Sequence, residues 1–297
     1  MLSRIAYGAK LLGCRGVNSS CKRRPQAFKF EFSDFRRHST SSMVIEEADS
    51  QTGFITLNLN RPPVNMFNLE FTQEIIASLG RMSSSQGCQG VVITSAQKSV
   101  VSAGLDLNEL HQPERERLAT FWRAIQDLWL CLYTFPKPVT IAINGHLPAG
   151  GMILSTCADY RVMVQGKFTT GLNEVRFGLV APFFLRDSFR SCVGQRQAEL
   201  AITMGTLFNP EEALKLGLVD ELAADKGSAV ERCHSILKLY AQTNSNARHN
   251  SKMSLRQEAV DRFHQKRESD LDFFCRSVLS PEVQMTLESY LKSLKQK

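Results

Sequence analysis

A carboxylate set among apolar residues is the first feature of this chain that could do chemistry. In TTGLNEVRFG, residues 169–178, Glu174 lies close in sequence to Phe168, Leu172, Val175 and Phe177, between Gly171 and Gly178. Carboxylates are almost always exposed, so a solvated turn residue is one reading. The other is an acid/base group in an apolar pocket, where desolvation disfavours the ionised form and raises the pKa towards neutrality. Two further loops bear on the choice. VSAGLDL, 101–107, carries the small residues Ser102, Ala103 and Gly104. They let backbone N–H groups approach a ligand closely, though the stretch also reads as a tight turn with Asp106 as a helix cap. NGHLPAGGM, 144–152, puts Ala149, Gly150 and Gly151 at a helix start. Free N–H groups there, with the helix dipole behind them, stabilise negative oxygen. A lone glycine pair more often serves close helix–strand packing. Taken together, two donor loops and one base are what enolate chemistry needs. No Ser-His-Asp set, P-loop or Gly-x-Gly-x-x-Gly fingerprint competes with that reading.

The elements that must position these residues follow from the pattern. MVIEEADSQTGFITLNLNR reads as a hairpin whose second half alternates apolar and polar. RPPVNMF breaks regular structure, and Asn68 then caps a helix with Leu69, Ile75, Ile76 and Leu79 at helical spacing. GVVITSA, 90–96, is a continuous apolar run, as a strand buried on both faces should be. Residues 115–135 place Leu118, Phe121, Trp122, Ile125, Leu128, Trp129 and Leu132 on one broad helical face, and the two tryptophans read as core. PKPVTIAIN is a second buried strand, a helix runs from about Met152 to Cys157, and YRVMVQ is the next strand. Strand, helix, strand, helix with a loop after each strand predicts an α/β domain with largely parallel strands. Ligands bind at the carboxyl ends of such strands, where all three loops lie. After about residue 194 the strands are expected to stop. Asn209 with Pro210 and two acids opens a helix, and SLRQEAVDRFHQKRESDLDFFCRSVL and SPEVQMTLESYLKSL continue as amphipathic helices.

Composition excludes several classes. Hydrophobic residues at 43% and charged residues at 22% are ordinary for a globular chain of 297 residues. No apolar run approaches the roughly 18–20 residues that span a bilayer. The net charge of +7 does not signal nucleic acid. Residues 1–40 hold nine Lys/Arg against two acids, which accounts for all of it and leaves residues 41–297 neutral. The first thirty residues lack acids altogether and mix Arg/Lys with Ser and small apolar residues, the composition of a mitochondrial transit peptide, with a plain disordered basic arm as the other reading. RRHSTSS, 36–42, is the expected processing region, so residues 1–42 are read as a leader to a matrix protein. The C-terminal SLKQK is not the peroxisomal Ser-Lys-Leu address. Eight scattered cysteines with no C-x-x-C pair, and no His pair at metal spacing, predict reduced thiols and no metal.

NLNRPPVNMFN, SAGLDL, INGHLPAGG, CADYRVM and GLNEVRFGLVAP resemble, in order and spacing, the crotonase (enoyl-CoA hydratase/isomerase) superfamily, and NPEEALKLGLVDEL resembles the helix that follows its core. The likeness covers roughly residues 43–225. It implies a spiral of β-β-α repeats over 43–225, a C-terminal helical subdomain over 226–297 and assembly as a homotrimer. It implies an acyl-CoA thioester as substrate and no cofactor, since CoA arrives with the substrate. By position the thioester oxygen would sit on the N–H groups of Leu105 and Gly150. Ala103, Gly104, Leu105, Asp106 and Leu107 would line the acyl-CoA, with Asn65 near the CoA entrance. Hydratases of this superfamily carry two catalytic glutamates. One matches Glu174; the place of the other, three residues after the oxyanion glycine, is Ile153. A single base can move one proton along a chain, whereas adding water benefits from two groups. The resemblance therefore implies an isomerase that shifts the double bond of a 3-enoyl-CoA to trans-2-enoyl-CoA, with Glu174 as acid/base. Open beside it are a dienoyl-CoA isomerase, which would want a further acid, a weak hydratase, and a catalytically silent acyl-CoA-binding or RNA-binding member. The neutral body argues against RNA.

Overall fold

The computed structural model describes residues 42–295, so the leader assigned to residues 1–42 lies outside them apart from Ser42. In chain order the elements are β1 (Val44–Ala48), β2 (Phe54–Leu59), α1 (Leu69–Ser84), β3 (Gly90–Ser95), α2 (Arg115–Tyr133), β4 (Val139–Ile143), β5 (Leu147–Pro148), α3 (Met152–Thr156), β6 (Tyr160–Val164) and β7 (Thr170–Gly171). There follow α4 (Phe183–Val193), α5 (Gln195–Met204), α6 (Pro210–Lys215), β8 (Glu221–Ala223), α7 (Lys226–Ala241), α8 (Ser245–Val278) and α9 (Pro281–Lys295). Six strands form one sheet in the order β1-β2-β3-β4-β6-β8, and β5 pairs with β7 in a second, two-stranded sheet. β1 and β2 are the expected antiparallel hairpin; every other neighbour is parallel. β8 corrects the expectation that strands end near residue 194: it pairs with β6 from Val162↔Glu221 to Val164↔Ala223. Three residues are too few to show an alternation in sequence.

The central strands β3 and β4 are buried on both faces, which is why they read as unbroken apolar runs. Val91, Ile93, Val139, Ile141 and Ile143 face the main core with the helices. Phe54, Val92, Ala142 and Val162 face the other way, against Ala229, Cys233 and Leu237 of α7. The helix starts follow the local chemistry. Asn68 accepts from the Phe71 N–H at 3.0 Å, and Asn209 and Glu212 form a reciprocal capping box. All seven apolar residues of the α2 stripe are buried. Trp122 stacks on Phe274 of α8 with 3.5 Å between ring centroids and 7° between planes, and its indole N–H donates to Asp270 at 2.8 Å.

α8 begins at Ser245, upstream of the Ser254 suggested by its apolar pattern, where Asn244 caps it through the Ala247 N–H. Charge holds that first part down. Lys252 Nζ lies 2.8 Å from Asp159 Oδ1, and Arg256 donates to the carbonyls of Tyr133 and Cys157 at 2.8 and 3.1 Å. Burial, partly offset by Asp159, pushes the Lys252 ammonium down to about 8.

Candidate active site

Three loops leave the carboxyl ends of β3, β4 and β6, and they run side by side. Backbone bonds join the first to the second: the His146 N–H donates to Ser99 O and the Val101 N–H to His146 O, both at 2.9 Å. The second joins the third through β5 and β7, with Leu147 opposite Thr170 and Pro148 opposite Gly171. Paired strands lie about 4.8 Å apart. The chain leaving β5 enters Ala149–Gly151, and the chain leaving β7 enters Leu172–Glu174. The three stretches that could do chemistry are thereby brought together in one layer over the ends of the parallel strands.

The two donor loops meet at their glycines. Gly104 has φ +92, and a Cβ there would lie 3.3 Å from both Ala149 Cβ and Gly150 N. A Cβ on Gly150 would lie 3.0 Å from Leu105 Cδ2 and 3.5 Å from Leu105 N. Leu105 N and Gly150 are thus neighbours across the gap that these glycines keep open. On either side of Leu105 the backbone is tied down, Ala103 N–H to Val64 O at 2.9 Å and Asp106 N–H to Phe67 O at 2.8 Å. The Leu105 N–H donates to no acceptor among the described residues. Gly150 stands in the first turn of the 3-10 segment leading into α3, where N–H groups have no intrahelical partner. Ala149 holds φ +50, a left-handed conformation that costs a non-glycine residue about 1–3 kcal/mol.

Two of the residues assigned to substrate hold neighbouring loops with their side chains. Asp106 is 3% exposed. Its carboxylate pairs with Arg61 at 2.7 Å and accepts from the Asn108 N–H at 3.1 Å, so the reading of Asp106 as a cap is the one its contacts fit. The side chain of Asn65 is enclosed by protein. It is 0% exposed, at φ +49. Its amide donates to Ser95 Oγ at 2.8 Å and Val101 O at 2.9 Å, and its Oδ1 accepts from the Arg61 N–H at 2.7 Å. The asparagine pins the RPPVN loop to the donor loop. Ala103, Leu105 and Leu107 are half-buried.

Glu174 opens a 3-10 turn, Glu174–Phe177, that Gly178 closes at φ +70. The residue is half-buried overall, but its Oε2 is out of contact with solvent and has no hydrogen-bond partner among the described residues. Desolvation pushes its pKa from an ordinary 4.5 up to about 7, with a backbone hydrogen bond pulling weakly the other way. A buried polar atom without a partner forfeits its hydration, and such atoms ask for a functional explanation. The neighbouring Asn173 Oδ1 is buried and unpartnered too; the sequence reading passed over it, as it did Arg61. Asn-Glu in a turn looks like solvated punctuation, and nothing in a sequence shows that Arg61 will meet a residue 45 positions away. Ile153 is 1% exposed within the apolar core. Among the described residues no group of three or more His, Cys, Asp or Glu could hold a metal ion, and no helix is long and apolar enough to cross a membrane.

A parallel sheet with antiparallel entry hairpin, strand-end loops carrying paired backbone donors, and helices packed after the core are the crotonase architecture. The enoyl-CoA hydratase/isomerase family model matches residues 49–297, and the chain belongs to that family. Enoyl-CoA delta isomerase 1, mitochondrial, of Rattus norvegicus is 36% identical over 265 residues, covering 89% of this chain and 91% of the relative. The Homo sapiens protein of that name is 34% identical over 264 residues, 89% of this chain and 87% of its own length. The crystal structure of human mitochondrial delta3-delta2-enoyl-CoA isomerase superposes with a TM-score of 0.84 at 34% identity, over 86% of this chain and 99% of that one. An enoyl-CoA hydratase from Bacillus halodurans superposes at 0.76 over 84% of this chain and 100% of its own, but at 22% identity that likeness is one of fold.

Proposed function

We propose that this protein is an enoyl-CoA isomerase that converts a 3-enoyl-CoA to the trans-2-enoyl-CoA, with Glu174 as its one acid/base. The observation that carries this reading is the pair of environments at Glu174 and Ile153. One carboxylate is desolvated and lifted to about 7, and the second position is an alkyl group in the core. Ionised Glu174 takes a proton from C2. The electron pair moves into a dienolate, whose thioester oxygen rests on the Leu105 and Gly150 N–H groups. The C3–C4 π pair then takes the proton from Glu174-H at C4, the C1–C2 π pair becomes the C2–C3 double bond, and the oxygen's pair restores the thioester carbonyl, leaving Glu174 ionised. A pKa near the working pH suits both halves of this transfer. Desolvation serves it twice, by strengthening the base and by keeping out the water that would otherwise add to the product.

The half-buried Ala103, Leu105 and Leu107, with Gly104, would line the acyl-CoA, and the reaction needs no cofactor. The mitochondrial relatives and the basic leader, whose first thirty residues hold no acid, support a matrix location, the relatives' activity supports a place in the β-oxidation of unsaturated fatty acids, and the family supports a homotrimer. A dienoyl-CoA isomerase would want a further acid in the pocket, and the position that holds a second glutamate in hydratases is here Ile153. The test is chromatographic. A 3-enoyl-CoA should yield trans-2-enoyl-CoA with little 3-hydroxyacyl-CoA, and accumulation of the hydroxy product as the main species would make the protein a hydratase.

A further inference from the structure

We infer that Gln284 of α9 is a positioning residue that sets the spacing between the oxyanion loop and the Glu174 turn. The inference rests on the roles proposed above for Leu105, Gly150 and Glu174. α9 touches both halves of the site. On one side Gln284 meets the loop that continues from Leu105. Its Oε1 accepts from the Gln112 N–H at 2.8 Å, and its Nε2 donates to Leu110 O at 2.8 Å and to Val278 O, at the end of α8, at 2.7 Å. Gln112 holds φ +48, a conformation that persists in a non-glycine residue only where the surroundings impose it.

On the other side α9 carries the base turn. Tyr290 meets Phe177 edge to face, with 5.0 Å between ring centroids and 83° between planes. Val283 is buried with its Cγ2 3.9 Å from where a Cβ on Gly178 would stand. Leu287, fully buried between these contacts, fixes the helix to the core. Val283, Leu287 and Tyr290 recur at helical spacing and so share one face, with Gln284 beside it.

The oxyanion loop has other anchors. Asp106 is paired with Arg61, and Glu109 accepts from the Leu69 N–H at 3.0 Å and pairs with Arg117 at 2.7 Å. Those contacts fix the loop to the α1 and α2 side. The Gln284 contacts fix it to the helix on which the base turn rests. A proton transfer between two carbons of one bound substrate needs base and oxyanion donors in fixed register, and a 1 Å misplacement costs about 100-fold in rate.

The test uses the full chain with Gln284→Ala, Gln284→Leu, which keeps most of the volume without the hydrogen bonds, and Met285→Ala as control, since Met285 is 68% exposed. Both Gln284 variants should lose about 10- to 100-fold in kcat while KM changes by less than about threefold, as for a group acting on the transition state alone. The rising limb of their kcat–pH profile should move below the wild-type value as the loosened turn admits water to Glu174. Amide hydrogen exchange should quicken in both 105–112 and 174–178, and Met285→Ala should match wild type. If Gln284→Ala does not fold, Gln284→Leu carries the test. Quickening confined to α9, or a folded Gln284→Leu with wild-type kcat, overturns the inference. Should wild type fail to isomerise a 3-enoyl-CoA, the functional reading fails separately, and hydrogen exchange still decides whether Gln284 couples the two segments.

Discussion

Glu174→Gln should abolish turnover and make the protein more stable. The carboxyl has an ordinary value of 4.5, which the unfolded chain restores, and is pushed up to about 7 in the folded protein by desolvation. A folded-state pKa above the unfolded one means that ionisation works against folding. Below about pH 4.5 both states are protonated and the group costs nothing. As pH rises through 4.5 to 7 the unfolded chain gives up its proton first, and the cost grows, levelling off above 7. At about 1.4 kcal/mol per pKa unit the full cost is on the order of 3 kcal/mol. Glutamine has nearly the same shape and no charge to desolvate. The variant should therefore exceed wild type by on the order of 3 kcal/mol at pH 8 and by less than about 1 kcal/mol at pH 5. Urea denaturation at both pH values reads this directly as a shift in midpoint at unchanged slope. Protein concentrations must be matched, because assembly adds to apparent stability. Equal midpoints at pH 8, or a variant weaker than wild type there, would show that the carboxylate is not desolvated and would remove the physical basis for its elevated pKa.

Gly150→Ala should keep the fold and lose activity, because its Cβ would stand 3.0 Å from the Leu105 side chain and 3.5 Å from Leu105 N. Loss of one oxyanion donor lowers kcat about 100- to 1000-fold, which steady-state kinetics would register. Arg61→Met leaves the buried Asp106 carboxylate without its cation. It should cost about 3–5 kcal/mol in denaturation and reduce kcat as well, since Asp106 follows the donor at Leu105. Asp159→Ala strands Lys252 and Arg256 and should cost about as much at pH 7. Lys252 is already depressed from 10.5 to about 8, chiefly by burial, so its charged form burdens the fold below about pH 8 and the burden lifts as pH rises through 8 to 10.5. Without Asp159 the folded-state value of Lys252 falls further below 8, so the part of the variant's deficit that Lys252 carries should shrink as pH rises towards about 8 and be gone above it in a denaturation series.

The parts of the fold that the sequence displays are those set by local chemistry or by burial on both faces. Asn68, Asn209 and Pro210 mark helix starts because capping satisfies donors within three residues. The strands over 90–95 and 139–143 announce themselves because neither face meets water. What stays hidden depends on partners distant in sequence. β8 exists only because β6 offers an edge to three residues. Asn65 looks like a loop asparagine until Ser95, Val101 and Arg61 surround its amide. Likewise the three candidate loops are visible singly, but their adjacency comes from the bridges Val100↔His146 and Leu147↔Thr170, and Gln284 gives no hint of Leu110 from 174 residues away. Glu174 was legible as a question because of its apolar neighbours, and burial of its Oε2 is the tertiary fact that a sequence cannot contain.

The central claim, that one desolvated carboxylate moves the proton, is tested most directly by the pH dependence of isomerisation. Purified protein is given a 3-enoyl-CoA, and the ultraviolet absorbance of the conjugated thioester is followed from pH 5 to 9, with Glu174→Gln in parallel. kcat/KM should rise with pH through an apparent pKa near 7, the value at which burial places Glu174, and the variant should be inactive throughout. Near-wild-type turnover by a folded Glu174→Gln, or a wild-type profile flat between pH 5 and 8, would contradict the account.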